Sequence, residues 1–420
     1  TTATATPIEP TQTSTLPATA TATPLPTVTE TATPLPTATI PPFTQGRIVF
    51  LWDQREGPGL DGPGGLPATT GLYEAVPGAS PDQWTIQPLL TELSALPQSY
   101  LSPDKTKLAL LVSEGSTYKI HIYQFTDGSV SRIDNQKSLE SRYSLSWLPD
   151  SQAVVYPQSS NLELASLDGS LPKLLTDNSP DPIEGEPYNY IRELVGSPDG
   201  SLFALDVNAA TGLAENGWMP SSPRKLTLYD TLQNKFISIT EVAVVHTFSM
   251  YWSPDSQWLA FTSGQDEGLS LLNTKTLEIR QLVAPPSLAF AAWSPDSRQL
   301  AFASDGQVSI WNVENQAIKE VTSKDYMSPP VWSPDGSMIA TIYQEGSDYG
   351  IIIVNPTTQS EEKLNMGAPG GQVFWSPDGK WLLGEQNGYG LYVINIDTGE
   401  HHLVFDTAGL RRPTSIMWLP

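Results

Sequence analysis

The sequence predicts an all-β protein, a single β-propeller of eight four-stranded blades over residues 46–420, from three observations. A corner motif recurs along the chain, each copy is followed by similar short strand-like segments, and the two ends of the repeat region complement each other. Seven blades is the alternative if the unit at Gly196 is irregular. Residues 1–45 form a separate segment of different composition.

The corner motif is Trp-Ser-Pro-Asp followed by Gly or Ser. Pro presets φ for the second position of a type I turn, Asp accepts backbone hydrogen bonds, and Gly tolerates positive φ. We interpret each copy as the corner between the first and second strands of a blade, with a structural Asp and a Trp packed between neighbouring repeats. The copies begin at Trp252, Trp293, Trp332 and Trp375, with looser versions at Leu101, Trp147 and Gly196 and a truncated one at Trp418.

Three further strand-like segments follow each corner. In the unit that begins at Trp293 they are residues 299–304, 307–313 and 318–322, which are rich in β-branched and aromatic residues or alternate with polar ones. Successive corners are roughly 40 to 55 residues apart, and four strands per such period is typical of a β-propeller. The 3.6-residue apolar period of a helical solenoid is missing.

The closing blade is predicted to contain strands from both ends of the repeat region. Residues 415–418 form a first strand with nothing after it, and residues 47–52, 71–76 and 84–90 supply the missing second, third and fourth strands. Pairing these segments would close the ring by backbone hydrogen bonds and leave no open sheet edge.

The corner followed by a Leu-Ala-Phe-like strand, as after Trp252 and Trp293, resembles the PD40 or TolB-like (WD40-like) propeller repeat of bacterial envelope proteins. The resemblance covers about residues 46–420 and is specific for the fold. It implies a periplasmic protein-interaction module, as in TolB, or a gating propeller, as in prolyl-oligopeptidase-like enzymes. The sequence shows neither the separate N-terminal α/β domain of TolB nor a hydrolase domain, so neither role transfers directly.

Residues 1–45 are a low-complexity segment of Thr, Pro and Ala without Lys or Arg. Dense Pro favours extended conformations, so we expect a semi-rigid linker or stalk, with a disordered tail as the alternative. Such segments resemble the stalks of exported or lipid-anchored surface proteins. The chain starts at Thr1 rather than Met, so we expect a removed leader and an extracytoplasmic location, secreted or attached to the cell surface or envelope, with a lipid anchor upstream of Thr1 as an open alternative.

The composition excludes several classes of function. A formal net charge of -23 argues against nucleic-acid binding and against docking on anionic lipid, because both need clustered Lys and Arg. The absence of Cys excludes disulfides and thiolate chemistry. No apolar run is long enough for a transmembrane segment. Charged partners are therefore expected to be cationic.

The predicted binding residues lie in three long segments, 53–70, 176–188 and 208–223, which join second to third strands or one blade to the next. All three belong to the face opposite the short corners, and we expect the corner face to be plain. Carboxylates beside aromatic rings suit a cationic or carbohydrate ligand, with solvated acidic loops as the alternative. The candidates are Asp61, Asp181, Glu184, Glu186, Tyr188, Tyr190, Glu215 and Trp218.

Cofactor and catalytic signals are scarce. Acidic loops can hold Ca²⁺, but no Asp-x-Asp-x-Asp-Gly loop is present, so no cofactor or metal site is predicted. There are four His and no nucleophile elbow, zinc-protease motif or phosphate-binding Gly loop, so no catalytic residue is named. Arg192 and Glu193 are polar exceptions among mostly apolar first strands and could line the channel.

Three functions are left open by the sequence. The leading hypothesis is a binding or scaffold propeller that recognises a protein, peptide or glycan through its long-loop face. The second is a propeller enzyme, a hydrolase or lyase with its site at the channel mouth. The third is a structural component of an envelope or extracellular assembly, in which the Thr/Pro segment itself makes contacts.

Overall fold

The described part of the computed structural model is built from β-strands alone and forms eight four-stranded antiparallel sheets in a ring. The predicted eight-bladed propeller is therefore confirmed, and the seven-bladed alternative is excluded. The structure describes residues 46–52, 70–80, 82–91, 93, 97–114, 117–133, 144–158, 161–176, 189–209, 224–239, 249–263, 268–284, 289–322, 328–365, 369–386, 390–406 and 413–420. Across these ranges there is no helix long and apolar enough to cross a membrane.

The first four blades lie in the N-terminal half of the repeat region. Blade 1 contains β1 (Arg47–Trp52), β2 (Gly71–Pro77) and β3 (Trp84–Leu90). Blade 2 contains β4 (Gln98–Leu101), β5 (Lys107–Glu114), β6 (Thr117–Gln124) and β7 (Val130–Arg132). Blade 3 contains β8 (Ser146–Trp147), β9 (Ala153–Gln158), β10 (Asn161–Ser166) and β11 (Lys173–Leu174). Blade 4 contains β12 (Asn189–Gly196), β13 (Leu202–Ala209), β14 (Arg224–Asp230) and β15 (Lys235–Ser238).

The last four blades follow without a change of topology. Blade 5 contains β16 (Met250–Trp252), β17 (Trp258–Ser263), β18 (Gly268–Asn273) and β19 (Ile279–Val283). Blade 6 contains β20 (Ala289–Trp293), β21 (Gln299–Ser304), β22 (Gln307–Asn312) and β23 (Ile318–Glu320). Blade 7 contains β24 (Val331–Trp332), β25 (Ile339–Glu345), β26 (Asp348–Val354) and β27 (Glu361–Asn365). Blade 8 contains β28 (Pro369–Trp375), β29 (Trp381–Gln386), β30 (Gly390–Asn395) and β31 (His401–Phe405).

The ring closes through β32 (Thr414–Leu419), which is the innermost strand of blade 1 and pairs antiparallel with β1. Ile48 lies opposite Trp418 and Val49 lies opposite Met417. Every other blade uses four consecutive strands, so blade 1 alone joins the two ends of the repeat region. This pairing confirms the predicted closure.

The hydrophobic core lies between the blades. Each buried cluster draws side chains from two neighbouring sheets, as where Ala301 and Ile310 of blade 6 meet Trp332 and Ile352 of blade 7. The second strand of each blade is buried on both faces, the third strand is buried in most blades, and Trp311 on β22 is completely buried. The outer strands are short and exposed, as the all-exposed pattern of β23 illustrates. Stability therefore depends on the contact of each blade with the next.

Candidate functional site

The residues predicted to bind a ligand cannot be placed by the structure. Seven of them lie outside the described residues: Asp61, Asp181, Glu184, Glu186, Tyr188, Glu215 and Trp218. Tyr190 is in β12, but its side chain is outside what is described. The strands that flank the three long segments all end on the face opposite the corners. The structure thus describes the strands on either side of the predicted long-loop site, and the site itself stays a prediction.

The corners are held by a hydrogen-bond network inside each turn. At Ser333 the hydroxyl donates to Asp335 Oδ1 at 2.6 Å and accepts from the Met338 N–H at 3.0 Å. Asp335 Oδ1 also accepts from the Ser337 N–H at 3.0 Å. Because each Asp is engaged within its own turn, the structural interpretation of these residues is confirmed. The same Ser-to-Asp bond occurs at Ser102, Ser197, Ser253, Ser294 and Ser376.

The network shifts the titration of the corner carboxylates. The hydrogen bond from the Ser333 hydroxyl, followed by that from the Ser337 N–H, lowers the pKa of Asp335. Burial alone would raise the pKa of Asp199 and Asp296, but the hydrogen bonds from their turns outweigh it and lower both values. These carboxylates are therefore ionised structural groups at neutral pH.

The corner Trp residues join each blade to the one before it. Five of them donate their indole N–H to a backbone carbonyl in the preceding blade, always that of the residue just before the equivalent corner position. We call these five residues the indole belt. They are Trp147 (to Tyr100 O, 2.8 Å), Trp252 (to Val195 O, 3.0 Å), Trp293 (to Tyr251 O, 2.9 Å), Trp332 (to Ala292 O, 2.9 Å) and Trp375 (to Val331 O, 3.1 Å). The predicted packing of Trp between repeats is confirmed.

Three blades do not contribute to the belt: Leu101 and Gly196 replace Trp in blades 2 and 4, and Trp418 of blade 1 is buried with no hydrogen-bond partner for its indole N–H among the described residues. Two serines of blade 3 make the contact with blade 4 instead: Ser144 Oγ accepts from the Leu194 N–H at 2.6 Å, and Ser146 Oγ accepts from the Gly196 N–H at 3.0 Å. A Cβ on residue 196 would lie 2.8 Å from Ser146 Oγ. The Ser146 hydroxyl therefore lies where a side chain on residue 196 would begin.

In blades 2 and 4 the aromatic residues of the row that starts at the corner position lie on the second or third strand and none lies on the first, whereas blade 6 has Trp on both its first and its third strand. The corner residue on the first strand lies opposite one residue on the second strand, which lies opposite one on the third. From the innermost strand outward, this row is Trp-Val-Ala in blade 3, Trp-Leu-Leu in blade 5 and Trp-Leu-Ile in blade 8. Blade 2 reads Leu-Leu-Tyr, ending on Tyr123, and blade 4 reads Gly-Phe-Tyr, from Gly196 through Phe203 to Tyr229. Beside the corner positions 101 and 196, which have no aromatic ring, there is open space along the innermost strands.

That space is a cavity of about 350 Å³ in the channel wall, which we call the channel cleft. It lies across the innermost strands of blades 2, 3 and 4 at the end of the channel nearest the corners. Among the described residues its lining is mostly apolar, and Glu193 is the one charged residue of that set. The lining residues are Tyr100, Leu101, Pro103, Ser144, Leu145, Ser146, Trp147, Pro149, Glu193, Leu194, Val195, Gly196, Ser197 and Pro198.

Tyr100 and Glu193 are electrostatically coupled within the cleft. Burial raises the pKa of Tyr100 to about 12, and the negative charge of Glu193 adds to the rise, whereas a backbone hydrogen bond with Leu145 opposes it. The Tyr100 hydroxyl is thus neutral at physiological pH. Because the charge of Glu193 is felt by a half-buried ring on another blade, it can also interact electrostatically with a ligand that lies between the two residues. Of the two residues expected to line the channel, Glu193 lines the cleft and Arg192 is not among its described lining residues, so that expectation stays a prediction.

The expectation of a plain corner face is wrong. The channel cleft contains the corner residues Pro103, Pro149 and Pro198, and a second cavity of about 350 Å³ lies between the corners of blades 7 and 8, next to Met338 and Trp375. Short corners do not make a flat face, because neighbouring corners leave clefts between them. The missing Trp at positions 101 and 196 is the sequence signal that could have located the channel cleft.

No group of three or more His, Asp or Glu side chains that could hold a metal is found among the described residues. Of the His residues, His402 is buried on β31 and its Nδ1 lies 2.7 Å from Asp82 Oδ1 in the turn of blade 1. His121 Nε2 lies 3.4 Å from Glu114 within blade 2. Both contacts link strands or neighbouring blades, which is a structural role.

These features define a closed, repeat-built eight-bladed propeller with a cleft where the repeat is broken. Residues 227–414 match the family model of the TolB beta propeller domain, PD40, which confirms the resemblance predicted from the corners. The match begins in β14 of blade 4 and spans the blades with regular corners.

Solved structures with the same fold include enzymes. The chain is 14% identical to an oligogalacturonate lyase in complex with manganese, with a TM-score of 0.50, covering 81% of this chain and 94% of that one. It is 10% identical to dipeptidyl peptidase 4 of Porphyromonas gingivalis, with a TM-score of 0.54, covering 78% and 57%. At these identities the similarity shows the fold alone.

A curated relative is the intraflagellar transport protein 122 homolog of Mus musculus, which is 23% identical over 189 residues. The matched region is 44% of this chain and 14% of the relative. The chain thus corresponds to a small part of that protein, and the match adds no residue to the site.

Proposed function

We propose that this protein is an extracytoplasmic binding propeller whose long-loop face recognises a protein, peptide or glycan. The observation that carries the proposal is the asymmetry of the ring. On one face short hydrogen-bonded corners fix the ends of the strands, and on the other face the strands flanking residues 53–69, 177–188 and 210–223 end where long connections begin. Long connections on a rigid scaffold are the usual location of binding residues.

The composition of those connections supports a polar or cationic ligand. They contain the carboxylates Asp181, Glu184 and Glu186 together with the aromatic residues Tyr188 and Trp218. Carboxylates and rings side by side suit stacking on a sugar or contact with a basic side chain. The match to the TolB propeller domain and the Thr/Pro segment before residue 46 support an exported location.

A thermal-shift screen tests the proposal. The parent protein is heated with Ca²⁺, basic peptides and glycans, and the screen is repeated after replacing Glu184, Glu186 and Trp218 by Ala. A control triple variant replaces the exposed turn residues Glu278, Glu314 and Leu232, which lie on the corner face, by Ala. The control removes the same number of charges and one large apolar side chain.

The proposal expects at least one ligand class to raise the Tm of the parent and of the control variant but not of the long-loop variant. It is wrong if no ligand stabilises the parent. It is equally wrong if the long-loop variant responds to ligand as the parent does.

A further inference from the structure

The channel cleft has the features of a binding site that is separate from the long-loop face. Leu101 of blade 2 and Gly196 of blade 4, the two corner positions where the repeat has no Trp, both line it. Phe203 and Tyr229 of blade 4 pack in the hydrophobic cluster between blades 3 and 4, whereas Tyr123 of blade 2 belongs to the cluster between blades 1 and 2. Serine hydroxyls bridge β8 and β12, so blades 3 and 4 are joined by hydrogen bonds in the absence of the indole. The ring is therefore kept closed while a cavity of about 350 Å³ opens beside the channel.

The lining selects for one kind of chemistry. Glu193 is the only charged residue among the described residues of the cleft, and its field reaches Tyr100 on blade 2. Around it stand two aromatic rings, Tyr100 and Trp147, and an apolar wall that includes Leu145 and Leu194. A carboxylate at the edge of an apolar, ring-lined cavity favours a cation attached to an aliphatic stem, because the stem is buried while the charge meets the carboxylate and the ring faces.

We propose that the channel cleft binds an organic cation with an apolar stem, namely the side chain of a Lys or Arg residue presented by a partner, or a free alkyl diamine of the same length. The formal net charge of -23 favours the approach of such ligands. This site is on the corner side of the channel, so the proposal is independent of the proposed binding by the long-loop face.

Isothermal titration calorimetry on the full chain tests the proposal with three probes. They are a capped Gly-Lys-Gly peptide, the same peptide with norleucine in place of Lys, and 1,5-diaminopentane. Norleucine keeps the stem and removes the charge. We expect the Lys peptide or the diamine to bind, and the norleucine peptide to bind at least tenfold more weakly.

Glu193→Gln removes the charge from the cleft without changing the size of the side chain. It is expected to weaken binding of the cationic probe at least tenfold, whereas Glu278→Gln, an equal change of charge on an exposed turn, leaves it unchanged. Tyr100→Leu is expected to weaken binding several-fold and Tyr100→Phe to preserve it, because the ring face is the contact. The thermal unfolding of each variant verifies that it is folded.

The two sources of the cation give different results. A diamine that binds as tightly as the Lys peptide supports a free amine ligand, and preference for the peptide supports a basic side chain of a partner. The proposal is overturned if neither cationic probe binds, if norleucine binds as well as Lys, or if Glu193→Gln binds as the parent does.

Discussion

Blades 5 to 8 and blades 2 to 4 use the same corner but join their neighbours in different ways. In the regular arc, blades 5 to 8, each first strand ends in Trp252, Trp293, Trp332 or Trp375, and each indole N–H bonds to the preceding blade. In the irregular arc, blades 2 to 4, Leu101 and Gly196 interrupt the series, and serine hydroxyls replace one of the missing indoles. The channel cleft lies within the irregular arc.

The difference teaches which part of the repeat is required for folding and which part can change. Among the described residues, the bond from the corner Ser to the corner Asp occurs in six of the eight blades, at Ser197 of the irregular arc as well as at Ser333 of the regular arc, whereas blade 3 has Leu148 in place of the Ser. The indole is dispensable, because blades 2 and 4 lack it and the ring is closed nevertheless. The channel cleft borders both positions, and such a departure from the repeat is where we expect specific binding.

The largest expected effect comes from removing an indole of the regular arc. Trp332→Ala empties a nearly buried site between blades 6 and 7 and should cost about 3–5 kcal/mol of unfolding free energy. Trp332→Phe keeps most of the ring and loses the bond to the Ala292 carbonyl, which should cost about 1 kcal/mol beyond the loss of packing. Urea denaturation measures both.

The matched variant in the irregular arc is Leu101→Ala at the equivalent position. Leu101 is half-buried and borders the cleft, so its removal should cost clearly less than that of Trp332. Equal losses at the two positions would contradict the distinction between the arcs.

A smaller effect, equal in the two arcs, is expected at the corners. Ser333→Ala and Ser197→Ala each remove one hydroxyl that donates to the corner Asp and accepts a backbone N–H. Because both hydroxyls are buried, the loss of these bonds should cost about 1–3 kcal/mol in either blade. Urea denaturation of the two variants side by side tests the equality, and a clear difference would show that the corners of the two arcs are not equivalent.

The corners also predict a dependence of stability on pH. The folded state lowers the pKa of Asp335 below its ordinary value of 3.8, so the carboxylate contributes stability that is present above about pH 4 and is lost as the pH falls through the folded pKa. Asp335→Asn should therefore lower Tm at pH 7, and its difference from the parent should shrink towards about pH 2. Glu314→Gln, an exposed turn substitution, is the control. A difference that is constant across this range would contradict the assignment.

The fold was predictable from the sequence because its determinants are local and repeated. Pro and Asp fix each corner through short-range bonds, as between Ser333 and Asp335, and the closing pair of Ile48 with Trp418 follows from counting strands at the two ends. The structural roles of the corner Asp and Trp residues followed from the same repetition.

The channel cleft was not predictable in the same way. Its walls come from three blades, and whether the absence of Trp at Gly196 leaves a cavity depends on how far Phe203 and Tyr229 fill the space, which is a matter of packing in three dimensions. The long-loop candidates such as Glu184 and Trp218 stay predictions, because their positions depend on long connections that local patterns do not specify.

The smallest effects are expected where the residue after the corner Asp approaches the preceding blade. Ser256 and Ser297 occupy this position with φ of 63° and 62°, and their hydroxyls accept the N–H of Asp199 and Asp255, respectively. At Gly336 a Cβ would lie 3.4 Å from Pro295 Cδ, so Gly336→Ser has space for a similar bond. Since the gain of the bond opposes the strain of positive φ, its effect on the unfolding free energy should stay within about 0.5 kcal/mol.

Gly200 offers the contrasting case at the junction of blades 3 and 4. A Cβ there would lie 2.8 Å from Pro149 Cδ, closer than at Gly336, and this is the junction where no indole separates the innermost strands. Gly200→Ser should therefore destabilise by about 1–2 kcal/mol through overpacking, as measured by urea denaturation next to Gly336→Ser. If the two substitutions lower the unfolding free energy equally, the corners of blades 3 and 4 are not packed more closely than those of the regular arc. The loss of the indole would then have to be compensated within blade 4 alone.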